Sequence, residues 1–411
     1  MADFHQFGRV TTLHSLEPDS WPRLDSDLTR LARRKPLGVV LPALYSEFER
    51  PAIHNILDEL RRVPWISRVV LVLSQAGRAQ YAEVCRLFEE FRAEATVLWR
   101  EGEMVQELLE TITNQGLAAG IAGKGRACWL GMGYLLAKGD CDVLAFQDCD
   151  IKTYHRRMLA RLAYPLMSTR HKFEFAKAYY PRFTRKFNGR LTRLLLGPLV
   201  EVLEDAGVNS GFLRFLASFR YGLAGEIALD AELARRIQVS PDWGLEISTL
   251  AEVYQRVPAA RVCQVDVSEC YDHKHQPVCA GDPMGGLHRM AREVSLAVFR
   301  AIAADGCVLP NELLQGTLPL AYRRSAAGMA ARYAADAEIN GLSYDLHDEL
   351  GSVEVFARGL EEAAAQFANN PAGTTQLPSW ERTESALPDV YARLADAAEL
   401  VRNVDLEQAT A

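Results

Sequence analysis

Nowhere does an apolar run in this chain approach the roughly 18 unbroken residues of a membrane span, so a spanning helix is not expected. The opening stretch MADFHQFGRVTTLHSLEPDS has no basic region followed by an apolar one, which argues against a secretory leader. A cytoplasmic protein with no membrane partner is the expectation. Cysteine is sparse, eight in 411 residues, which excludes a disulfide framework and leaves free thiols as the default. Basic residues are outnumbered, 46 against 53 acidic, for a net charge of -7. General nucleic-acid binding is thereby disfavoured, although a local basic pocket is not. No internal repeat or low-complexity tract appears, so a solenoid or a disordered tail is not the organising plan.

What is present is an alternation of short apolar runs and amphipathic stretches. PLGVVLPAL, ISRVVLVLS, ATVLWR and CDVLAFQDCD read as four strands, separated by helical segments such as RPAIHNILDELRRV and GRAQYAEVCRLFEEFRAE. This pattern predicts an α/β fold, a mixed and mostly parallel sheet flanked by helices. In such sheets ligands gather beyond the carboxyl ends of the strands, which singles out Pro42 to Glu47, Ser74, and Asp148 to Asp150. From about residue 285 the strand signals fade. MGGLHRMAREVSLAVFRAIAADG, LPLAYRRSAAGMAARYAADAEIN and YDLHDELGSVEVFARGLEEAAAQFANN carry helical periodicity, and NNPAGTTQLPSW reads as a linker before a last helix. A helical C-terminal extension over 286–411 is expected to pack on the rest of the chain or on a second subunit.

Three motifs carry chemistry. Asp148 and Asp150, one residue apart after the apolar run VLAF, are hard oxygen ligands that can share a Mg²⁺ or Mn²⁺ ion with phosphate oxygens. An arbitrary Asp-x-Asp is more often a cap and a solvated side chain; the buried strand in front of this one shifts the balance. Upstream, Gly123-Lys124-Gly125 opens the helix that leads into that strand. Glycine admits close backbone approach to a phosphate and lysine adds charge at a helix start, yet the spacing of a Walker A loop is missing. Downstream, YYPRFTRKFNGRLTR gathers Arg182, Arg185, Lys186, Arg190 and Arg193 in an acidic protein. A charge run of this kind is usually a solvated face, but Gly189, Arg190 and Thr192 together offer the donor types that hold phosphate or carboxylate. In CYDHKHQPVC, Cys270, His273, His275 and Cys279 have spacings that fit a structural zinc site poorly. One imidazole, that of His273, completing a site with Asp150 is the better reading, and His275 reads as a pocket-lining residue.

In their order along the chain these pieces resemble the retaining GT-A glycosyltransferases that include glucosyl-3-phosphoglycerate synthase. LPALYSEF is similar to the family's first loop, GKG precedes the helix before its Asp-x-Asp strand, and NGRLTRLLLGPL is similar to its acceptor loop. YGLAGEIAL, DWGLEISTL and YDHKHQPV resemble its later segments, so that the likeness covers roughly residues 35 to 290. It implies a GT-A domain over 35–285, with a nucleotide-sugar half at about 35–151 and an acceptor half at about 152–285, preceded by a segment 1–34. It implies a metal-dependent hexosyltransferase that moves glucose from a nucleotide sugar, UDP-glucose in the first instance, to 3-phosphoglycerate with retention, on the way to glucosylglycerate, a compatible solute. Pro42, Ala43, Leu44 and Glu47, with Ser74 and Lys124, would hold the nucleotide; Asp148 would face the sugar or ribose. Asp150 and His273 would hold the divalent cation, Glu246 would orient sugar or acceptor, and Gly189, Arg190, Thr192 and His275 would meet the acceptor. A homodimer is expected. Tyr45-Ser46 stand where the family carries asparagine, and His275-Gln276 where it carries basic residues. A glucosylglycerate-type or mannosyl-type enzyme stays open as an alternative. A nucleotidyltransferase would show a Gly-rich basic signature after its first strand, which PALYSEFERP lacks; a non-catalytic regulator would tolerate loss of the Asp-x-Asp, which is intact.

Overall fold

The computed structural model describes residue 6 and residues 8–17, 20–119, 122–272, 286–373 and 376–398. Numbered in chain order, the strands of the one sheet formed by these residues are β1 (Thr11–Leu13), β2 (Leu37–Leu44), β3 (Ile66–Ser74), β4 (Glu94–Trp99), β5 (Val143–Phe146), β6 (Phe175–Tyr179), β7 (Ile227–Asp230) and β8 (Val262–Asp266). The four strands expected from the apolar runs are β2 to β5. Their sequences are nearly unbroken in apolar residues because both faces are covered: Leu37, Val39, Val40 and Leu41 are fully buried, as are Val69 to Leu73. Successive side chains enter opposite layers. Val39, Leu41, Val69 and Leu71 join one apolar cluster, whereas Val40, Val70 and Val72 join the other.

Strand order is β1-β8-β6-β7-β5-β2-β3-β4, with β7 alone antiparallel to its neighbours. From β2 the chain proceeds outward through β3 and β4 on one side, then returns to place β5 on the other. The loops after β2 and β5 therefore diverge, and a crevice opens between them at a topological switch point. Register sharpens it. β5 pairs with β2 only as far as Val40↔Phe146, while β3 follows β2 to Leu44↔Ser74. Past Val40 that edge of β2 has no partner strand among the described residues, which is where Pro42, lacking an N–H, can be accommodated. Because β7 runs backwards, it is its beginning, at Ile227, that arrives beside the end of β5, with Gly225 and Glu226 just before it.

The three longest helices after residue 285 are Gly286–Ala304, Leu318–Ile339 and Leu346–Asn369, and a shorter one, Trp380–Ala386, follows. Phe299, Tyr322, Phe356 and Leu360 from these helices are fully buried in the same apolar cluster as Val40 and Val72 of the sheet. The chain then returns to the sheet. Trp380 stacks on Trp129 of the Lys124–Lys138 helix, ring centroids 4.2 Å apart, and each indole nitrogen donates to a carbonyl of the other segment, Trp129 to Pro378 at 2.8 Å and Trp380 to Trp129 at 3.0 Å.

Candidate active site

One cleft of about 680 Å³ runs along the carboxyl edge of the sheet, and it gathers Pro42, Ala43, Leu44, Glu47, Ser74, Lys124, Asp148, Asp150, Gly189, Arg190, Thr192 and Glu246 in its wall. These come from separate places in the chain: the ends of β2, β3 and β5, the starts of the Lys124–Lys138 and Leu245–Arg256 helices, and the loop after β6. His273 and His275 lie outside the described residues.

At the floor, Asp148 and Asp150 border the cleft while Cys149 between them belongs to the apolar cluster. Lys124 Nζ stands 2.7 Å from Asp148 Oδ1 and 3.4 Å from Glu246 Oε1. Burial opposes charge on this amine, but the two carboxylates outweigh it and hold its pKa well above the usual lysine value. The result is a cation fixed between two carboxylates at the centre of the cleft. Its closeness depends on Gly225, where a Cβ would lie 2.6 Å from Lys124 Nζ and 2.8 Å from Asp148 Oδ2. The glycines beside Lys124 also allow close packing of backbone on backbone. A Cβ at Gly123 would meet the Pro241 carbonyl oxygen at 2.4 Å and one at Gly125 the Ser240 carbonyl oxygen at 1.9 Å. They let the helix start press against the backbone that precedes Glu246.

Below the floor lies a polar network that patterning did not single out. Glu226, 1% exposed, accepts from the hydroxyls of Tyr180 and Tyr271, each at 2.6 Å, and the two rings stack with centroids 3.7 Å apart. Burial, and then the charge of Asp148, raises its pKa. Lys177, also 1% exposed, donates to the Ala224 carbonyl at 2.6 Å, and burial lowers its pKa to about 8. The only sequence signal for these residues is a charged residue inside an apolar run, as in FAKAY and GEIAL.

The basic cluster divides on folding. Arg182 and Lys186 border the cleft, with Arg182 NH1 donating to Tyr221 Oη at 2.7 Å. Arg193 is a packing element: it lies over the rings of Tyr333 and Phe187 and donates to Glu349 at 2.9 Å. Arg190 borders the cleft and is paired to Asp348 and Glu349. Burial works against its charge, and these carboxylates more than offset that, raising its pKa. Gly189 takes a φ of 69°, and on either side of it Asn188 Nδ2 and Thr192 Oγ1 are buried with no hydrogen-bond partner among the described residues. Arg100, Gln75, Asp242, Trp243 and, from the C-terminal region, Arg289 also contribute to the wall.

Among the described residues no three His, Cys, Asp or Glu side chains converge as a metal cage. The two carboxylates at the end of β5 are nevertheless hard oxygen donors in a cleft, the donor type that Mg²⁺ and Mn²⁺ accept while keeping positions for phosphate oxygens. Of the two, Asp148 is held by Lys124 at 2.7 Å. The seven described cysteines are free thiols, and Cys270 Sγ donates to the Phe183 carbonyl at 3.3 Å. Among the described residues no helix is long and apolar enough to cross a membrane.

No family model matches the chain. Curated relatives do. The chain is 39% identical over 399 residues to the glucosyl-3-phosphoglycerate synthase of Persephonella marina, covering 97% of this chain and 98% of that protein. It is 32% identical over 399 residues to the protein of that name from Methanococcoides burtonii, covering 96% and 97%. Among solved structures it is similar to glucosyl-3-phosphoglycerate synthase from Mycobacterium tuberculosis in complex with Mg²⁺ and UDP, at 21% identity with a TM-score of 0.53 over 72% of this chain and 87% of that one. The same enzyme with Mn²⁺, UDP-glucose and phosphoglyceric acid gives the same score. These likenesses show the fold, the GT-A arrangement with its helical C-terminal region. Near-complete coverage at 39% and 32% identity carries the assignment further: the chain belongs to the glucosyl-3-phosphoglycerate synthase family.

Proposed function

We propose that this chain is a retaining glucosyltransferase that moves glucose from UDP-glucose to 3-phosphoglycerate. The observation that carries the reading is the single cleft in which strand-end residues for a nucleotide, an Asp-x-Asp, and a loop with buried unpaired donors face one another. Family membership and the solved relatives that hold UDP-glucose with phosphoglyceric acid support the same donor and acceptor.

Pro42, Ala43 and Leu44 form the floor for uracil, with Glu47 and Ser74 at the ribose. Asp150 would hold the divalent cation, with His273 as its proposed partner. When bound, that cation supplies positive charge against the diphosphate leaving group. Lys124 adds a fixed positive charge at the same place. Its two partners, Asp148 and Glu246, are occupied by that ion pair, which disfavours either as a covalent nucleophile. Retention then fits attack from the face the leaving group departs, with a phosphate oxygen of the donor accepting the proton of the acceptor hydroxyl. Asp148 faces the sugar, and Glu246 orients sugar or acceptor through its hold on Lys124. On the other wall Arg190, Thr192 and the backbone of Gly189 receive the acceptor's phosphate, with His275 as a further proposed contact. Residues 35–285 carry most of the catalytic unit, to which β1 adds an edge strand and Arg289 and Asp348 add part of the cleft wall; we read the assembly as a cytoplasmic homodimer acting on small anionic substrates, without nucleic acid.

A matrix of UDP-, GDP- and mannosyl donors against 3-phosphoglycerate and glycerate, with mass and NMR analysis of the anomeric centre, tests this. Turnover should be best with UDP-glucose and 3-phosphoglycerate, and the product should keep the donor's configuration. Equal turnover with glycerate would point instead to a glucosylglycerate-type enzyme.

A further inference from the structure

Arg190 meets the cleft already engaged by two carboxylates on the first turn of the Leu346–Asn369 helix, and the two are not equivalent. Its Nε donates to Glu349 Oε1 at 2.8 Å, and the other oxygen of Glu349 accepts from Arg193 NH2 at 2.9 Å. Glu349 is 5% exposed, so it is a buried anion locked between two guanidinium groups. Asp348 is different. Its side chain is 55% exposed, it stands in the cleft wall, and it accepts from the outer NH2 of Arg190. In the same wall, Asn188 Nδ2 and Thr192 Oγ1 are buried donors with no partner among the described residues, and Asn188 is 5% exposed. Asp348 accepts from Arg190 and leaves those two donors without a partner among the described residues. A phosphate, with three acceptor oxygens and up to two charges, can accept from the arginine and from both donors.

We propose that Asp348 is an internal stand-in for the acceptor's phosphate: it holds the outer nitrogen of Arg190 until a phosphorylated acceptor displaces it, and so sets acceptor affinity. Glu349 stays in place and is the positioning residue for Arg190 and Arg193. This rests on the assignment of the cleft as a 3-phosphoglycerate site. It adds a role for the C-terminal helices, which border the cleft at Asp348 as well as at Arg289. An unphosphorylated acceptor leaves Asp348 where it is, because it carries nothing to take over the arginine and both donors together.

The test compares wild type, Asp348→Asn and Glu349→Gln in initial-rate kinetics with phosphoglycerate, glycerate or UDP-glucose varied, and in inhibition by inorganic phosphate. Asparagine keeps the shape of Asp348, and its backbone N–H still bonds the Asp345 cap of the helix, so folding is preserved and is checked by thermal melting. In Asp348→Asn the phosphoglycerate KM should fall by up to about fivefold, the range of a half-exposed ion pair, and inorganic phosphate should inhibit at correspondingly lower concentration. The glycerate and UDP-glucose KM values should not follow. Glu349→Gln should raise the phosphoglycerate KM, because Arg190 loses its fixed partner. An unchanged or higher phosphoglycerate KM in Asp348→Asn, or an equal fall for glycerate, would overturn the proposal while leaving the assignment of the cleft standing. Absence of phosphoglycerate turnover in wild type would remove that assignment itself, and this proposal with it.

Discussion

Single residues in the cleft differ in how much of their role is chemical and how much is packing. Asp150 sits at a strand end, outside the core, and Asp150→Ala should cut turnover by about 100-fold or more while leaving the melting temperature close to wild type. Turnover that persists after metal depletion would remove the ground for that assignment. Arg190→Ala should raise the phosphoglycerate KM by about tenfold or more, since a charge-assisted contact contributes roughly 1.5–3 kcal/mol. The UDP-glucose KM should barely move, and initial-rate kinetics with each substrate varied separates the two. Lys177 carries a pH signature of another kind. Its pKa is lowered to about 8 in the folded chain, against 10.5 for an ordinary lysine. Between those two values the unfolded chain therefore binds a proton that the folded chain has released, and the contribution of this site to stability rises with pH. Urea melts of wild type and Lys177→Met should diverge across that window by up to about 1.4 kcal/mol per pH unit, wild type gaining. Parallel curves would show that this lysine is not depressed.

At the scale of elements, the site is assembled by edges and helix starts. β7 is the instructive case: a single reversed strand brings its first residues, not its last, to the edge where the parallel strands end. Gly225 can then sit against the Lys124–Asp148 pair. The helix that begins at Lys124 is fixed in two places, against the Ser240–Pro241 backbone at its start and against Trp380 along its length. Trp380 is fully buried, and Trp380→Ala should cost about 3–5 kcal/mol, read as a lowered urea midpoint. Some of that loss should appear as weaker turnover, because Lys124 loses the packing that holds its helix. A full loss of stability with unchanged kinetics of the folded fraction would confine the stack to a structural role.

For the whole molecule, the C-terminal helices and the sheet share one apolar cluster, and deletion of residues 286–411 would expose the layer that includes Val40, Val72 and Trp129. Such a truncated chain should aggregate or fail to express in soluble form, which size-exclusion chromatography reads directly. A well-folded soluble product would mean that the cluster is divisible. Much of this architecture was legible in the residues. Unbroken apolar runs announced β2 to β5 because strands covered on both faces have no polar side to show, and the periodic segments after 285 announced long helices. Asp148, Asp150 and the Gly189–Thr192 loop stood out by position, after a buried strand and within a basic cluster of an acidic chain, and they share one cleft wall. The rest depended on contacts between distant segments. No local pattern says that Arg193 will be spent on Glu349 and two rings, that Arg190 will meet Asp348, or that the glycines around Lys124 make room for the Ser240 and Pro241 carbonyls. Those outcomes are set by which surfaces approach within a few ångströms after the sheet has formed. Sequence by itself determined the elements and the kinds of chemistry available; the tertiary structure decided which charges are paired internally and which face a substrate, because pairing is a property of distance in space and not along the chain.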